Sequence, residues 1–177
     1  MKYSLSILCL ALQLMPAMSF GQTEKVLRGN EVSESALVDA LVPQKTRSIR
    51  ISPTGAGAAQ PAKPPSASML VTFETNSAEL TPRAKILLET LGRALQSDKL
   101  AVFKFSIEGH ADPRGGEQFN LQLSQSRAEA VVSYLSENQH IDRGRLVAVG
   151  KGQSELLNKS NPDAPENRRV TVKTIVE

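Results

Sequence analysis

Apolar and polar positions from residue 69 onward follow the periods of strands and helices. Four segments have the short apolar run or the alternation of a strand, at 69–73, 103–107, 146–149 and 169–176. In the second segment, Phe103, Phe105 and Ile107 alternate with polar residues, which predicts a strand with one face in the core. The other segments predict the remaining three strands.

Two segments between these strands have the period of amphipathic helices. The first begins at Thr81-Pro82, where Thr81 can cap the free amides and Pro82 needs no hydrogen-bond donor. The second runs from Gln118 to Asn138. The predicted core stripes are Ala84, Leu87, Leu88, Leu91 and Leu95 in the first helix, and Leu121, Ala128, Val131, Val132 and Leu135 in the second. The order β-α-β-α-β-β predicts an α+β domain over residues 69–177, with a mixed four-stranded sheet and helices packed on one face.

The region before residue 69 has a different composition. Residues 22–51 form a short N-terminal segment with one helical pattern, which follows Ser33 and Ser35 as possible caps and stops at Pro43. Residues 52–68 are mostly Pro, Ala, Gly and Ser, which predicts a linker because they bury little apolar surface. The basic stretch at 45–50 fits either a solvated part of this connection or a docking surface.

The first 21 residues have the pattern of a secretory signal peptide. A short positive start precedes an apolar run, and small residues follow Pro16. Cleavage after Gly21 or after Ser19 fits this pattern, and an uncleaved anchor is the alternative. Cys9 is the one cysteine and lies inside the apolar run. A lipid-bearing cysteine would need small residues where Ile7 and Leu8 stand, so we expect Cys9 to leave with the signal peptide, and the mature chain to have no thiol.

Composition argues against several classes of function. The formal net charge is +3, the charges are interspersed, and aromatic residues make up 4% of the chain, so the basic stripe with aromatic platforms of a nucleic-acid binder is missing from the sequence. Two histidines with one cysteine make a poor metal site. No spacing resembles a nucleophile elbow, and the Gly-rich stretch at 112–116 lacks the lysine of a phosphate loop. We therefore expect no catalytic residue, no metal and no cofactor.

The candidate chemistry lies in residues 109–135. Asn120, Leu123 and Arg127 share one face of the second helix, because their spacing is i, i+3 and i+7. Asp112 lies in the loop before that helix, which can bring its carboxylate over the same face. Such a pair can hold a zwitterion, with Arg127 on a carboxylate and Asp112 on an ammonium. The spacing equally permits a structural salt bridge between Asp112 and Arg127.

Motifs in this segment and at both ends of the predicted domain form one ordered set. They are GHADPRGG at 109–116, Asn120, Leu123, Ser126-Arg127-Ala128, Val131, Tyr134-Leu135, FETNSAEL at 73–80 and Asn167-Arg168-Arg169-Val170. This set resembles the signature of the OmpA-like peptidoglycan-binding domain and is most similar to its peptidoglycan-associated lipoprotein branch. The resemblance spans nearly all of residues 69–177 in order. One departure is Phe119, where the family often has tyrosine.

The resemblance implies a non-enzymatic protein that holds peptidoglycan through the diaminopimelate of its peptide stem. Asp112 and Arg127 would bind the diaminopimelate, and Leu123 would pack on its aliphatic part. Further polar contacts are implied for Asn76, Ser77 and Ala78 in the first loop. Asn120 is a further candidate binding residue because of its place on the same helix face as Leu123 and Arg127. The expected place is the periplasm, with association to peptidoglycan or the outer membrane.

Two other interpretations stay open. In the first, the domain keeps this fold but binds a protein of an envelope complex instead of murein. Asp112 and Arg127 would then form a salt bridge. Even in the murein-binding interpretation, the N-terminal segment is a possible contact for an envelope protein. The second is a stator-like role, which requires a membrane-spanning helix. The candidate for such a helix in this sequence is the signal segment.

Overall fold

The computed structural model describes residues 26–27, 31–43, 64–74 and 77–176. The predicted signal peptide, the basic stretch at 45–50 and residues 52–63 of the predicted linker lie outside the described residues. The helices are α1 (Glu34–Leu41), α2 (Pro82–Gln96) and α3 (Glu117–Gln139). The strands are β1 (Val26–Leu27), β2 (Ser66–Met69), β3 (Lys104–His110), β4 (Leu146–Gly152) and β5 (Val170–Ile175).

The sheet is mixed, as predicted, and has the strand order β1-β2-β5-β3-β4. Strand β5 is antiparallel to both β2 and β3, whereas β4 is parallel to β3. The predicted order β-α-β-α-β-β is confirmed from β2 to β5. The sheet of the described residues has five strands rather than the predicted four, because Val26–Leu27 adds a short parallel strand beside β2. Two residues are too few to give a periodic signal in the sequence.

Strand β2 lies earlier in the chain than predicted. The prediction was residues 69–73, but the ladder with β5 is formed by Ser66–Met69. Small polar residues have weak strand propensity, which is why the pattern missed this strand. Ser68 is buried in the sheet because its hydroxyl forms a 2.7 Å hydrogen bond with that of Thr171. Strand β2 therefore begins within residues that their composition assigned to the linker.

Helix α1 packs into the same core as the rest of the fold. Its N-cap is Ser33, whose hydroxyl accepts a hydrogen bond from the amide of Ala36, as the sequence predicted. Leu37 and Leu41 are completely buried. The hydroxyl of Thr174 in β5 donates a 2.6 Å hydrogen bond to the carbonyl oxygen of Leu41. The N-terminal helix is thus an integral part of the folded unit.

All three helices lie on the apolar face of the sheet, as predicted for α2 and α3. That face carries Met69, Phe105, Ile107 and Val172, all completely buried. The capping of α2 is confirmed, because the hydroxyl of Thr81 accepts from the amide of Ala84. In α3 the prediction of Leu121 as a core residue was wrong, because its side chain is 49% exposed. No helix within the described ranges is both long enough and apolar enough to cross a membrane.

Candidate functional site

The site is built where β3 ends and α3 begins. Gly109, the second-last residue of β3, lies directly under α3, and a Cβ atom there would come 2.2 Å from the carbonyl oxygen of Ser124. A glycine is therefore required for α3 to pack this closely on the end of β3. His110 ends the strand and is buried. The loop at 111–116 then carries the chain to the first turn of α3.

Asn120 holds this loop in place from the first turn of α3. Its side-chain amide donates hydrogen bonds to the carbonyl oxygens of Asp112 at 2.9 Å and Gly115 at 3.2 Å, and to Oε1 of Gln153 at 2.8 Å. The residue is only 4% exposed, so these bonds satisfy a buried amide. The sequence placed Asn120 on the binding face, and the structure uses its amide nitrogen to position the loop that carries Asp112.

The carboxylate of Asp112 is buried and bound by two arginines. Its Oδ2 accepts from Nη2 of Arg114 at 2.8 Å and from Nη1 of Arg168 at 2.7 Å. Within the described part of the chain, Oδ1 has one long contact, 3.4 Å from the amide nitrogen of Arg114. Burial raises the pKa of Asp112, but the hydrogen bonds from Arg114 and Arg168 outweigh that effect and hold the pKa below its usual value. Asp112 is therefore ionised at neutral pH.

Arg127 is fixed on α3 by contacts to the first loop. Its Nε donates a 3.0 Å hydrogen bond to the carbonyl oxygen of Ser77, and its guanidinium carbon lies 4.9 Å from the centre of the Phe73 ring. Burial, and next the nearby charge of Arg168, lower the pKa of Arg127, with Asp112 acting in the opposite direction. An arginine stays charged under such shifts. Neither Nη atom forms a hydrogen bond within the part of the chain that the structure describes.

Asp112, Leu123 and Arg127 line one cavity of about 480 Å³, which we call the first cavity. The ion pairs of Asp112 run to Arg114 and Arg168, and no ion pair joins it to Arg127 among the described residues. The salt bridge that the spacing permitted is thus not formed. Both residues belong to the lining of the first cavity, in which positive charges outnumber negative ones. Its charged lining residues are Arg114, Arg127, Arg168, Asp112 and Glu74.

Arg114 and Arg168 are the site residues that sequence reasoning missed. Both stand inside stretches that carried the family resemblance, GHADPRGG and Asn167-Arg168-Arg169-Val170. For Arg114 a signal existed, because a side chain two residues beyond Asp112 in a tight loop can reach back to it. Arg168 is 56 positions from Asp112, and only the pairing of β3 with β5 brings the two together.

The first loop contributes to the site through Arg127. Ser77 supplies the carbonyl oxygen that fixes Arg127, while its hydroxyl accepts from the amide of Glu79 at 2.9 Å. Ala78 is partly buried. Neither Ser77 nor Ala78 is among the residues that line the first cavity. From this part of the chain, Phe73 and Glu74 line it. Asn76 lies outside the described residues.

The arrangement suits the binding of a zwitterion with an aliphatic part. It offers an ionised carboxylate, guanidinium groups, and the apolar side chains of Leu123 and Phe119 in one cavity. Phe119 is 52% exposed and stands at the edge of this cavity. Across the ranges that the structure describes, no group of three or more His, Cys, Asp or Glu side chains is placed to hold a metal ion.

Comparison with known proteins identifies related chains. A model of the OmpA family matches residues 72–169. The outer-membrane lipoprotein YfiB of Pseudomonas aeruginosa is 33% identical over 107 residues, which are 59% of this chain and 62% of YfiB. The peptidoglycan-associated lipoprotein of the same organism is 31% identical over 102 residues, or 57% of this chain and 59% of that protein. For four relatives, including these two, the matched residues make up 43% to 62% of the relative's own length.

A solved structure supports the same relationship. The peptidoglycan-associated lipoprotein from Burkholderia pseudomallei aligns with a TM-score of 0.50 and 25% sequence identity. The alignment covers 62% of this chain and 89% of that chain. The similarity therefore extends over most of the solved domain.

Proposed function

The chain belongs to the OmpA family, and from this membership and the first cavity we propose that it binds peptidoglycan non-covalently through the diaminopimelate of the peptide stem. The observation that carries the proposal is that Asp112 and Arg127 line one cavity, each held by its own hydrogen bonds. Relatives named as peptidoglycan-associated lipoproteins support the choice of ligand.

The chemistry of diaminopimelate matches the groups in the cavity. One end of this amino acid carries an ammonium and a carboxylate on the same carbon, and methylene groups follow. The Nη atoms of Arg127 can bind the carboxylate through two parallel hydrogen bonds. Oδ1 of Asp112 can accept from the ammonium, since its one contact with the residues that the structure describes is at 3.4 Å. Leu123 and Phe119 offer an apolar wall for the methylene groups.

The expected affinity is modest. Hydrogen bonds to charged groups contribute roughly 1.5–3 kcal/mol each, and part of that is spent in ordering the ligand. Peptide stems are dense along the polymer, so rebinding to neighbouring stems keeps a weakly bound protein on the wall. This is sufficient for a passive anchor that holds the protein, or a complex to which it belongs, to the cell wall.

The whole chain is arranged around this anchor in our proposal. Residues 1–21 direct export to the periplasm, residues 44–65 connect α1 to β2 within one folded unit, and no catalysis takes place. Relatives named for the outer membrane support an envelope location. Because Leu37 and Leu41 of α1 are buried in the core, a contact with an envelope protein would use the exposed side of α1 or other residues of the N-terminal segment at 22–51.

One observation favours the alternative of a protein-binding module that has lost murein binding. Asp112 is already bound by Arg114 and Arg168, so its carboxylate is stable without a ligand. The two functions differ in one respect that is simple to measure. Only a murein binder responds to free diaminopimelate.

The experiment is co-sedimentation of the purified mature chain with insoluble diaminopimelate-type peptidoglycan. Arg127→Gln and Asp112→Asn, each shown to be folded by circular dichroism, should stay in solution while wild type sediments. Arg83→Gln removes one positive charge from an exposed position of α2 and should sediment like wild type, which controls for general attraction to the anionic polymer. Wild type that stays in solution, or equal sedimentation of all variants, would overturn the proposal in favour of the protein-binding module.

A further inference from the structure

Arg168 is a neighbour of Arg127 in the wall of the first cavity. Both side chains line this cavity, and both also line an adjoining cavity of about 240 Å³. The charge of Arg168 is one cause of the lowered pKa of Arg127, second only to burial. Two positively charged groups are therefore held near each other by the fold, and a negatively charged group beside both of them is favoured.

Arg168 keeps hydrogen-bond donors that its bond to Asp112 does not use. Its Nη1 donates to Oδ2 of Asp112 at 2.7 Å and to the carbonyl oxygen of Asp163 at 3.4 Å. Its Nε and Nη2 form no hydrogen bond with the residues that the structure describes. The side chain is 38% exposed, so it is open to a ligand. Arg168 can thus hold Asp112 and bind a ligand at the same time.

The ligand position proposed above brings a carboxylate to this part of the cavity. At the free end of diaminopimelate, the ammonium nitrogen and the carboxyl carbon are bonded to the same carbon atom and lie about 2.5 Å apart. An ammonium on Oδ1 of Asp112 places that carboxylate close to the aspartate whose Oδ2 is bonded to Arg168. When the carboxylate turns to the Nη atoms of Arg127, it also approaches the neighbouring guanidinium of Arg168.

We propose that Arg168 binds the carboxylate of diaminopimelate together with Arg127, and that this pair makes the domain selective for stems in which that carboxylate is free rather than amidated. The inference rests on the proposed function. A carboxamide has no negative charge and presents N–H groups to guanidinium donors, so it loses the charge-assisted contacts. Arg127 directs the carboxylate toward Arg168, so Arg168 contributes to this selectivity only while Arg127 is present.

Arg114 offers a matched comparison, because it shares only the bond to Asp112. It donates to Oδ2 of Asp112 from Nε at 3.1 Å and from Nη2 at 2.8 Å. Unlike Arg168, it does not line the adjoining cavity with Arg127, and its charge is not among the causes of the lowered pKa of Arg127. Loss of Arg114 should therefore weaken the hold on Asp112 without changing the choice between a carboxylate and a carboxamide.

The test is calorimetric titration with two soluble stem peptides. They are identical except that the carboxylate at the free end of diaminopimelate is a carboxamide in one of them. Wild type should bind the free acid at least about ten-fold more tightly. Arg168→Gln should reduce this ratio by about three-fold, as expected for a partly exposed charge contact. Arg114→Gln should weaken the binding of both peptides equally and keep the wild-type ratio.

The outcomes separate this inference from the proposed function. A folded Arg168→Gln with the wild-type ratio, or an equal fall of the ratio in Arg114→Gln, would overturn the inference and leave the proposed function standing. Equal affinities of wild type for the two peptides would contradict both arginine contacts, and failure of both peptides to bind would refute the proposed function. If Arg168→Gln does not fold, Arg168→Lys replaces it. Lysine keeps the charge beside Asp112 but lacks the fork of donors, so the ratio should again fall.

Discussion

The side chain of Asn120 donates a hydrogen bond from Nδ2 to the backbone carbonyl oxygen of Asp112, across 2.9 Å. This bond ties the loop after β3 to the first turn of α3, so the carboxylate of Asp112 has a fixed place relative to Arg127 two turns further along the helix. Arg127 has its own anchors in Ser77 and Phe73, so Asn120 acts on the Asp112 side of the candidate site. The position of the Asp112 loop therefore depends in part on a buried amide that makes no charge contact itself.

Replacing Asn120 by alanine should weaken both the fold and the site. The carbonyl groups of Asp112 and Gly115 would lose their donor, and we expect the free energy of unfolding to fall by about 1–3 kcal/mol. Urea unfolding measures the loss, and co-sedimentation measures the weaker binding to peptidoglycan. Gln122→Ala, an exposed neighbour on the same helix, is the control and should change neither. Unchanged stability of Asn120→Ala would show that the loop is held by other contacts.

Gly109→Ala tests the close approach of α3 to β3. The added Cβ would meet the carbonyl oxygen of Ser124 at 2.2 Å, and a backbone atom cannot rotate away. We expect a loss of about 1–3 kcal/mol in unfolding free energy from overpacking. At Gly144 an added Cβ would meet nothing closer than 3.4 Å, so Gly144→Ala should stay within about 0.5 kcal/mol of wild type. A similar stability for both variants would contradict the packing described here.

Because the N-terminal helix packs in the core, a substitution in its buried face should strongly reduce the free energy of unfolding, although it is far from the site. Leu37 is completely buried between α1 and the rest of the core, and Leu37→Ala should cost about 2–5 kcal/mol of unfolding free energy. Asp39→Ala, on the exposed side of the same helix, should cost no more than about 0.5 kcal/mol. The full chain is used for thermal or urea unfolding. If Leu37→Ala were as stable as Asp39→Ala, α1 would not belong to the cooperative unit.

The ion pairs of Asp112 predict a pH dependence of stability. The pKa of Asp112 is lower in the folded chain than its usual value, so its ion pairs stabilise the fold at neutral pH and lose that effect as the pH falls through the folded-state pKa. Wild type should therefore be more stable than Asp112→Asn at pH 7, and the difference should shrink below about pH 4. Urea unfolding across this range measures it, with Asp98→Asn as the exposed control. A difference that stays constant or grows in acid would contradict this account.

Local patterns in the sequence were sufficient to predict much of this fold. The cap at Thr81 and the stripe of α2 are short-range features, and so is the shared face of Asn120, Leu123 and Arg127. Each follows from spacing along one helix, which the sequence displays directly. The predicted order of helices and strands rested on the same kind of signal.

The features that the sequence did not predict depend on distant partners. Ser68 can be buried in a strand because Thr171 satisfies its hydroxyl. Leu121 is exposed because the buried side of α3 at that end carries Asn120, which bonds to the loop before the helix, and Ser124, which bonds to β4. Arg168 reaches Asp112 only after β5 has paired with β3. Hydrophobic periodicity contains no information on such pairings, since polar residues become buried wherever a partner is available.

The most direct test of the central claim is the affinity of the wild-type chain for a diaminopimelate stem peptide compared with the same peptide containing lysine. Lysine keeps the ammonium but lacks the neighbouring carboxylate that we assign to Arg127. Loss of a charge-assisted bond of roughly 1.5–3 kcal/mol predicts binding weaker by at least about ten-fold, and Arg127→Gln should abolish this preference. Equal affinities of wild type for the two peptides would contradict the assignment of Arg127 to the carboxylate.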